Sequence, residues 1–562
     1  MKYVIVGGVA GGATTAARLR RLDEDAEIII FEKGAHISYA NCGLPYYIGD
    51  TIKERKQLFL QTPDSFGARF NVDVRVNTEV LSIDRPNKRV HVRNGRTQKE
   101  YDESYDKLVL APGAVPVRPA LEGIDLPHIY TLRSVSDTDH IKEMVASLAA
   151  QSVGAQPTAV VVGAGFVGLE MVENLCRVGF HVSLVEMADY IMPMADYPVA
   201  APVQSHLRAK GVTLYLRNSV TAFAEQNGKT EVHLRSGETL TADIVLLSVG
   251  VKPLTDLPRQ AGLELGERGG IKVNGYMQTS DPNIYAVGDA VEFPHPLTGR
   301  STLCYLAGPA NKQARICADN LALGNVKQYK GSVGTAIAKV FDMTIGVTGL
   351  SENYLKQNGI SYQTAVIHAA SHASYYPDAH QMVLKINFNP TTGQLLGGQA
   401  AGFEGVDKRV DMMASVISAQ GTVYDLIDIE HAYAPPFSSA KDPATVAGYV
   451  AENILTGKML PMRWSDLKQR IDDGDDDLFV IDVRSDLECK QGMIPGAVNY
   501  PLDELREFLD EIPTDKTIVT YCAIGLRSYL AARILVQSGF EKVYTLSGGY
   551  RTYSQCVAEL NK

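Results

Sequence analysis

The chain has 562 residues, of which 45% are apolar and 21% charged, with a formal net charge of -10. At roughly 150 residues per domain, this length divides into three or four domains. The acidic balance argues against nucleic acid as a main partner, since phosphate neutralisation needs a basic surface, and no apolar run reaches the roughly 18 residues of a membrane span.

The Met1-Lys2-Tyr3-Val4-Ile5-Val6 start reads as a strand, with no charged segment leading into a cleavable apolar one, so a cytoplasmic protein is expected. The strand runs into Gly7-Gly8-Val9-Ala10-Gly11-Gly12, a helix rich in Ala and Arg, and Ile28-Ile29-Ile30-Phe31 ending at Glu32. The same grammar returns in Ala159-Val160-Val161-Val162, the turn Gly163-Ala164-Gly165-Phe166-Val167-Gly168, a helix, and Val182-Ser183-Leu184-Val185 ending at Glu186. Such a unit sets a pyrophosphate on a helix N-terminus and a ribose hydroxyl on the terminal acid. One copy arises readily by chance; two in the same context point to two nucleotides. The first copy has Val9 where the middle glycine usually stands. After Glu186 come Met187-Ala188-Asp189, with no arginine to grip a 2′-phosphate, so NADH is favoured over NADPH. Glu170, two residues past Gly168, could touch the nicotinamide side or pair with a cation.

Two further segments carry signals: Tyr105-Asp106-Lys107-Leu108-Val109-Leu110-Ala111-Pro112-Gly113 reads as a strand ending in a small-residue turn, and Thr279-Ser280-Asp281-Pro282-Asn283-Ile284-Tyr285-Ala286-Val287-Gly288-Asp289-Ala290 as a turn, a short strand and an acid expected to precede a helix. Here the sequence resembles the pyridine-nucleotide disulfide oxidoreductases, in which the Gly-Asp aspartate binds the flavin ribityl chain. The resemblance implies FAD and NADH as cofactors. It places their contacts at Gly7, Gly8, Val9, Ala10, Gly11, Gly12, Glu32, Lys33, Ala111, Pro112, Gly113, Gly163, Gly165, Gly168, Glu186, Gly250, Gly288, Asp289 and Ala307.

The seven cysteines lack the spacing of a disulfide frame or a zinc site, so no metal is expected. Two have a special context. Cys42 lies in Ile37-Ser38-Tyr39-Ala40-Asn41-Cys42-Gly43-Leu44-Pro45-Tyr46-Tyr47. Tyr47 stands where a dithiol reductase needs its second cysteine, leaving a mixed disulfide, a persulfide or a sulfenic acid as outlets. A helix start just downstream is expected to favour the thiolate. The stretch is similar to the single-cysteine branch that holds coenzyme A disulfide reductases, NADH persulfide reductases and NADH oxidase/peroxidases. By that resemblance Thr14, Arg18, Arg21, Ser38, Asn41, Asn311 and Lys441 contact coenzyme A. Tyr375, in Ser371-His372-Ala373-Ser374-Tyr375-Tyr376-Pro377, and Tyr433, in Tyr433-Ala434-Pro435-Pro436, approach the cysteine across a homodimer. Arg18 and Arg21 share one helical face suited to phosphate oxygens, although with Arg20 they could equally form a solvated basic face.

Cys522 opens Cys522-Ala523-Ile524-Gly525-Leu526-Arg527, after the strands at Phe479-Val480-Ile481 and Ile518-Val519-Thr520-Tyr521. This unit resembles a single-domain rhodanese, with Met493 in place of the usual histidine. Loop amides, a helix N-terminus and Arg527 closing the ring would stabilise a persulfide anion. Asp482 and Arg484 read as residues that pin the loop. Cys176, Cys304, Cys317, Cys489 and Cys556 read as packing residues.

The expected fold is α/β: an FAD-binding domain of residues 1–118 and 250–325, an NAD-binding domain of 119–249, an α+β dimerisation domain of 326–445, a linker of 446–463 and an α/β rhodanese domain of 464–562. The expected function is reduction of a persulfide, such as coenzyme A persulfide or polysulfide, with Cys42 and Cys522 as the working thiols. A coenzyme A disulfide reductase, an NADH oxidase or peroxidase, and a flavin-gated redox sensor remain as alternatives.

Overall fold

The computed structural model describes residues 1–151 and 156–562. The chain divides into two compact units, one of residues 1–187 and 212–334, the other of 188–211 and 335–562.

The first unit holds two five-stranded parallel sheets with one layout. In the first, the strand order is Ile284–Ala286, Lys107–Leu110, Lys2–Val6, Glu27–Phe31, Asp73–Arg75. In the second it is Ile129–Tyr130, Ile244–Leu247, Thr158–Val162, His181–Val185, Thr213–Tyr215. A parallel sheet covered on both faces needs apolar side chains in both directions, which is why these strands read as unbroken runs rather than alternations. Ile28, Ile29 and Ile30 are all at most 2% exposed, and each contributes about 1.5–3 kcal/mol of apolar burial. The helices Ala10–Arg20 and Phe166–Arg177 supply the crossovers and start at the ends of the central strands.

The second unit contains an antiparallel sheet in the order Ala336–Val340, Met343–Gly349, Leu395–Gly402, Gln381–Phe388, Gln363–Ala370. It also contains a parallel sheet in the order Pro461–Met462, Val543–Leu546, Thr517–Tyr521, Leu478–Asp482, Val498–Asn499. The helix Tyr197–Ala209 packs here, against Met343–Gly349, Leu395–Gly402 and the last helix Gly549–Leu560. Among the described residues, no helix is long and apolar enough to cross a membrane. The fold class is the expected one: two nucleotide-type parallel sheets, an α+β layer and a C-terminal α/β layer.

One local expectation needs correction. Asp289 precedes the strand Val291–Pro294, not a helix, because Val291 and Phe293 are buried and the segment pairs antiparallel with Ser301–Leu303. It is therefore not a helix N-cap. Cys317, read as a packing residue, lies in the buried face of the helix Ala307–Leu323.

Candidate active site

The two glycine turns share their backbone geometry at the first and last glycines. Gly7 has φ +98° and Gly163 +102°, a region closed to other residues without strain. A Cβ on Gly12 would stand 1.8 Å from the Gly7 carbonyl oxygen, and one on Gly168 1.9 Å from that of Gly163. The last glycine of each motif therefore lets the helix pack onto its own turn. The terminal acids repeat as well: Glu32 Oε2 accepts from the Gly8 amide at 2.8 Å, and Glu186 Oε2 from the Ala164 amide at 2.7 Å. Gly165 faces open space. Gly113 and Gly250 each lie three residues past a strand, at φ +75° and +108°.

A groove of about 470 Å³ runs along the first turn. Its walls are Gly7–Gly11, Glu32, Lys33, Tyr39, Asn41, 111–115, Arg133, Gly288, Asp289 and Ala310. The Lys33 ammonium is drawn aside to Glu79 at 2.8 Å, and Ala310, one turn past Ala307, supplies the wall of that helix. Burial pushes the Asp289 carboxyl up, opposed by Arg133. Arg133, which the sequence did not single out, donates to the Ala114 carbonyl at 2.5 Å. With its amide oxygen turned inward, Asn41 accepts from Arg133 at 3.1 Å.

Cys42 sits on the helical turn Asn41–Gly43, followed by the helix Leu44–Ile48, and is exposed. The expected thiolate preference is not what the surroundings favour. Burial of the sulfur pushes the thiol up, and the carboxylates of Glu170 and Asp289 add to it. The five-residue helix is too short to outweigh two facing acids. Tyr46 donates to Glu170 at 3.4 Å, and burial raises the Glu170 carboxyl to about 7, with Glu173 adding and the Tyr46 hydrogen bond opposing.

The candidate coenzyme A contacts fall into three groups. Thr14 Oγ1 donates to Asn311 Oδ1 at 2.6 Å, bringing these two together between the helices Ala10–Arg20 and Ala307–Leu323. Arg18 pairs with Asp319 at 2.7 Å between the same helices, while Arg21 is exposed at the helix end. Arg20 corrects the idea of a uniform basic face. It is 5% exposed and donates to the carbonyls of Phe70, Asp23, Glu24, Ala26 and Asn71, closing the helix end. Ser38 has φ +46° and holds its loop by donating its backbone N–H to the Gly8 carbonyl at 2.9 Å.

In the second unit, the Tyr375 and Tyr433 hydroxyls meet at 3.2 Å, with both rings exposed. Lys441 is exposed just before the helix Pro443–Leu455. Cys522 is 1% exposed at the end of the strand Thr517–Tyr521, and its sulfur accepts from the Gly525 amide at 3.1 Å. The helix Leu526–Gln537 starts immediately after. Arg527 lies against Cys522 but does not close the ring alone: it is held in a two-point grip by Glu488 at 2.6 and 2.7 Å. That grip drops the Glu488 carboxyl to about 2. Glu488 was missed, although Ser485-Asp486-Leu487-Glu488 has capping-box spacing and forms one here. Arg484 grips Asp482 at 2.6 Å and the Gly492 carbonyl at 2.7 Å, and stacks on Tyr550.

Residues 1–313 match the family described as pyridine nucleotide-disulphide oxidoreductase, and residues 335–444 its dimerisation domain. The chain belongs to the pyridine nucleotide-disulphide oxidoreductases. Residues 464–556 match the rhodanese-like domain. Coenzyme A disulfide reductase of Staphylococcus aureus (strain bovine RF122 / ET3-1) is 36% identical over 451 residues, which is 80% of this chain and all of that protein. The crystal structure of reduced Bacillus anthracis CoADR-RHD has a TM-score of 0.95 and 46% identity, covering 99% of this chain and 98% of that one. A NAD-dependent persulfide reductase from A. fulgidus has a TM-score of 0.91 and 37% identity, covering 98% of this chain and all of that one.

This oxidoreductase is thus an FAD-dependent enzyme of that family carrying a rhodanese domain, and FAD and NAD(H) are the cofactors typical of it. The groove fits a dinucleotide on its own geometry. The glycine-rich turn Gly7–Gly11 lines it at one end, Glu32 stands in its wall, and Asp289 lines it as a hydroxyl acceptor.

Proposed function

We propose that this oxidoreductase is an NADH-dependent persulfide reductase that releases thiol and sulfide at Cys42 and carries sulfane sulfur on Cys522, working as a homodimer. The observation that carries the reading is the Cys522 loop, where a buried sulfur receives a loop amide beside a guanidinium and a helix start. Such a setting suits a sulfur-bearing anion, and it shares a chain with a thiol that has no dithiol partner.

Cys42 thiolate attacks the sulfane sulfur of R–S–SH. The R–S bond breaks, the thiolate R–S⁻ leaves, and sulfur stays as Cys42–S–SH. Two electrons originating in NADH and one proton then break the Cys42–S bond to that sulfur, freeing hydrogen sulfide and restoring the thiolate. Bound FAD supplies the two-electron chemistry between NADH and sulfur. Gly163, Gly168 and Glu186 hold the NADH adenosine and pyrophosphate, while the first turn, Glu32 and Asp289 hold FAD. Thr14, Arg18, Arg21, Ser38, Asn41, Asn311 and Lys441 receive the coenzyme A moiety of R, and Tyr375 and Tyr433, from the other protomer, donate hydrogen bonds to the departing sulfur. Cys522 takes sulfane sulfur from a donor and passes it on, on coenzyme A or directly.

A second reading, coenzyme A disulfide reduction at Cys42, is favoured by the S. aureus relative, all of whose length matches 80% of this chain. Steady-state NADH oxidation with coenzyme A persulfide and with coenzyme A disulfide separates the two. Persulfide turnover is expected to exceed disulfide turnover by at least about tenfold in kcat/KM, about 1.4 kcal/mol in transition-state stabilisation. The reverse order would establish the second reading instead.

A further inference from the structure

The last helix, Gly549–Leu560, starts directly on the Cys522 loop. Gly549 has φ +63°, and a Cβ there would stand 2.6 Å from the Cys522 carbonyl oxygen and 2.9 Å from that of Ala523. Any side chain would push helix and loop apart. With none, the Tyr550 amide donates to the Cys522 carbonyl at 2.8 Å and the Arg551 amide to that of Ala523 at 3.0 Å. The peptide units here are trans, so the N–H groups of Ala523 and Ile524 point away from the helix. The N–H of Gly525, next along the loop, reaches the Cys522 sulfur at 3.1 Å. The helix start thus fixes which way the loop amides face.

The antiparallel layer, in the same compact unit, holds this first turn by its side chains. Thr552 Oγ1 lies 2.8 Å from Nε2 of His368 on the strand Gln363–Ala370, with Thr552 1% and His368 7% exposed. Arg551 Nη1 donates at 3.2 Å to Oε1 of Gln381, which opens the neighbouring strand Gln381–Phe388. Just before the helix, Ser547 Oγ accepts from the Val366 amide at 3.2 Å, and a Cβ on Gly548 would stand 3.0 Å from Val366 Cγ1. Residues 550–552 therefore tie the carbonyls of the Cys522 loop to two strands outside the rhodanese layer. The buried His368–Thr552 pair has no water to fall back on, so removing one partner strands the other.

Resting on the reading of Cys522 as the sulfur carrier, we propose that the antiparallel layer sets the Cys522 loop for sulfur transfer, with His368 and Thr552 as positioning residues acting through the first turn of Gly549–Leu560. The rhodanese layer brings the thiol and its loop, and the layer it sits on aligns the amides that hold the sulfur-borne charge. Loosening the His368–Thr552 pair frees the helix start from its seat. The Cys522 and Ala523 carbonyls then lose their donors, the loop amides turn, and Cys522–S–S⁻ loses the dipoles that stabilise it.

The test treats the flavin-loaded full chain with inorganic polysulfide, without NADH, and follows the added sulfur on the Cys522 peptide by mass spectrometry once the polysulfide is removed. In loading, the Cys522 thiolate attacks a sulfur of the polysulfide chain, one S–S bond breaks, the shortened polysulfide leaves and Cys522–S–S⁻ remains. Cyanide then removes the outer sulfur as thiocyanate and returns the thiolate. His368→Leu is expected to shorten the lifetime of the added sulfur several-fold, and His368→Gln, which keeps a hydrogen-bonding group for Thr552, to restore it. Emission from Trp464, the chain's single tryptophan, whose ring lies 5.5 Å from that of Tyr197, reports whether the rhodanese layer keeps its seat. Should His368→Leu lose that seat, Thr552→Val takes its place, with Thr552→Ser as the rescue. A His368→Leu chain that holds sulfur as long as the wild type would overturn the proposal and leave Cys522 a carrier, as would an equal loss in His368→Gln. A wild-type Cys522 that takes up no sulfur would overturn the carrier reading together with this one.

Discussion

Single atoms decide the nucleotide turns. At Gly168 an added Cβ would sit 1.9 Å from the Gly163 carbonyl oxygen, and backbone cannot move aside cheaply. Gly168→Ala is therefore expected to raise the KM for NADH at least tenfold while the flavin stays bound, which absorbance near 450 nm and an NADH titration would check. Unchanged NADH affinity would mean that the turn does not grip the nucleotide. These glycines were legible because the constraint is local: a clash between residues five apart is written in their spacing. Arg20 was not legible. Its burial depends on the Phe70 and Asn71 carbonyls, about 50 residues away, and nothing in the Arg18, Arg20, Arg21 cluster separates the one that turns inward from its neighbours. Glu488 was half legible: its capping box is local, but its grip on Arg527 spans the rhodanese fold.

Within the second unit, the contacts between the antiparallel layer and the rhodanese layer are buried and polar. His368 on Gln363–Ala370 meets Thr552 on Gly549–Leu560 at 2.8 Å, and the Val366 amide donates to Ser547 at 3.2 Å. Glu352 gathers Lys385, Lys356 and Arg463. Burial, with Arg551 adding, lowers the His368 imidazole to about 3. The unfolded chain takes up that proton near 6.5, so the folded unit loses stability as pH falls from 6.5 towards 3, by about 1.4 kcal/mol per pH unit. Against the cost of burial, the field of Lys385 and the cations around it brings Glu352 down to about 2, so its contribution is full above 4.5 and fades between 4.5 and 2. Thermal unfolding between pH 7 and 5 is expected to show a falling midpoint, with the slope reduced in His368→Gln; equal slopes would contradict a neutral buried imidazole. Only the Glu352–Lys356 pair, four residues apart on one helix, is local; the other partners of His368 and Glu352 lie on strands and helices more distant in the chain. The helix Tyr197–Ala209 makes the same point, for its flanking strands belong to the second nucleotide sheet while its apolar face packs against the antiparallel layer.

Across the whole molecule, the proposed function has two thiols in different environments serve one element. Fusion keeps the effective concentration of one site at the other high without any new contact. The coarse plan was legible because each part carries its own motif: two glycine turns, the Gly288-Asp289 pair, and the Cys522 to Arg527 loop. The substrate was not, because the persulfide and disulfide readings use the same groove residues. If the rhodanese loop feeds the flavin site, Cys522→Ser is expected to cut NADH oxidation with polysulfide or protein-borne sulfane sulfur severalfold; undiminished rates with those donors would remove the relay. The most direct measurement is hydrogen sulfide release from a small persulfide, driven by NADH, in flavin-loaded wild-type protein and in Cys42→Ser. Loss of at least about three orders of magnitude is expected in the variant. Sulfide release that survives the substitution would contradict the assignment of sulfur chemistry to Cys42.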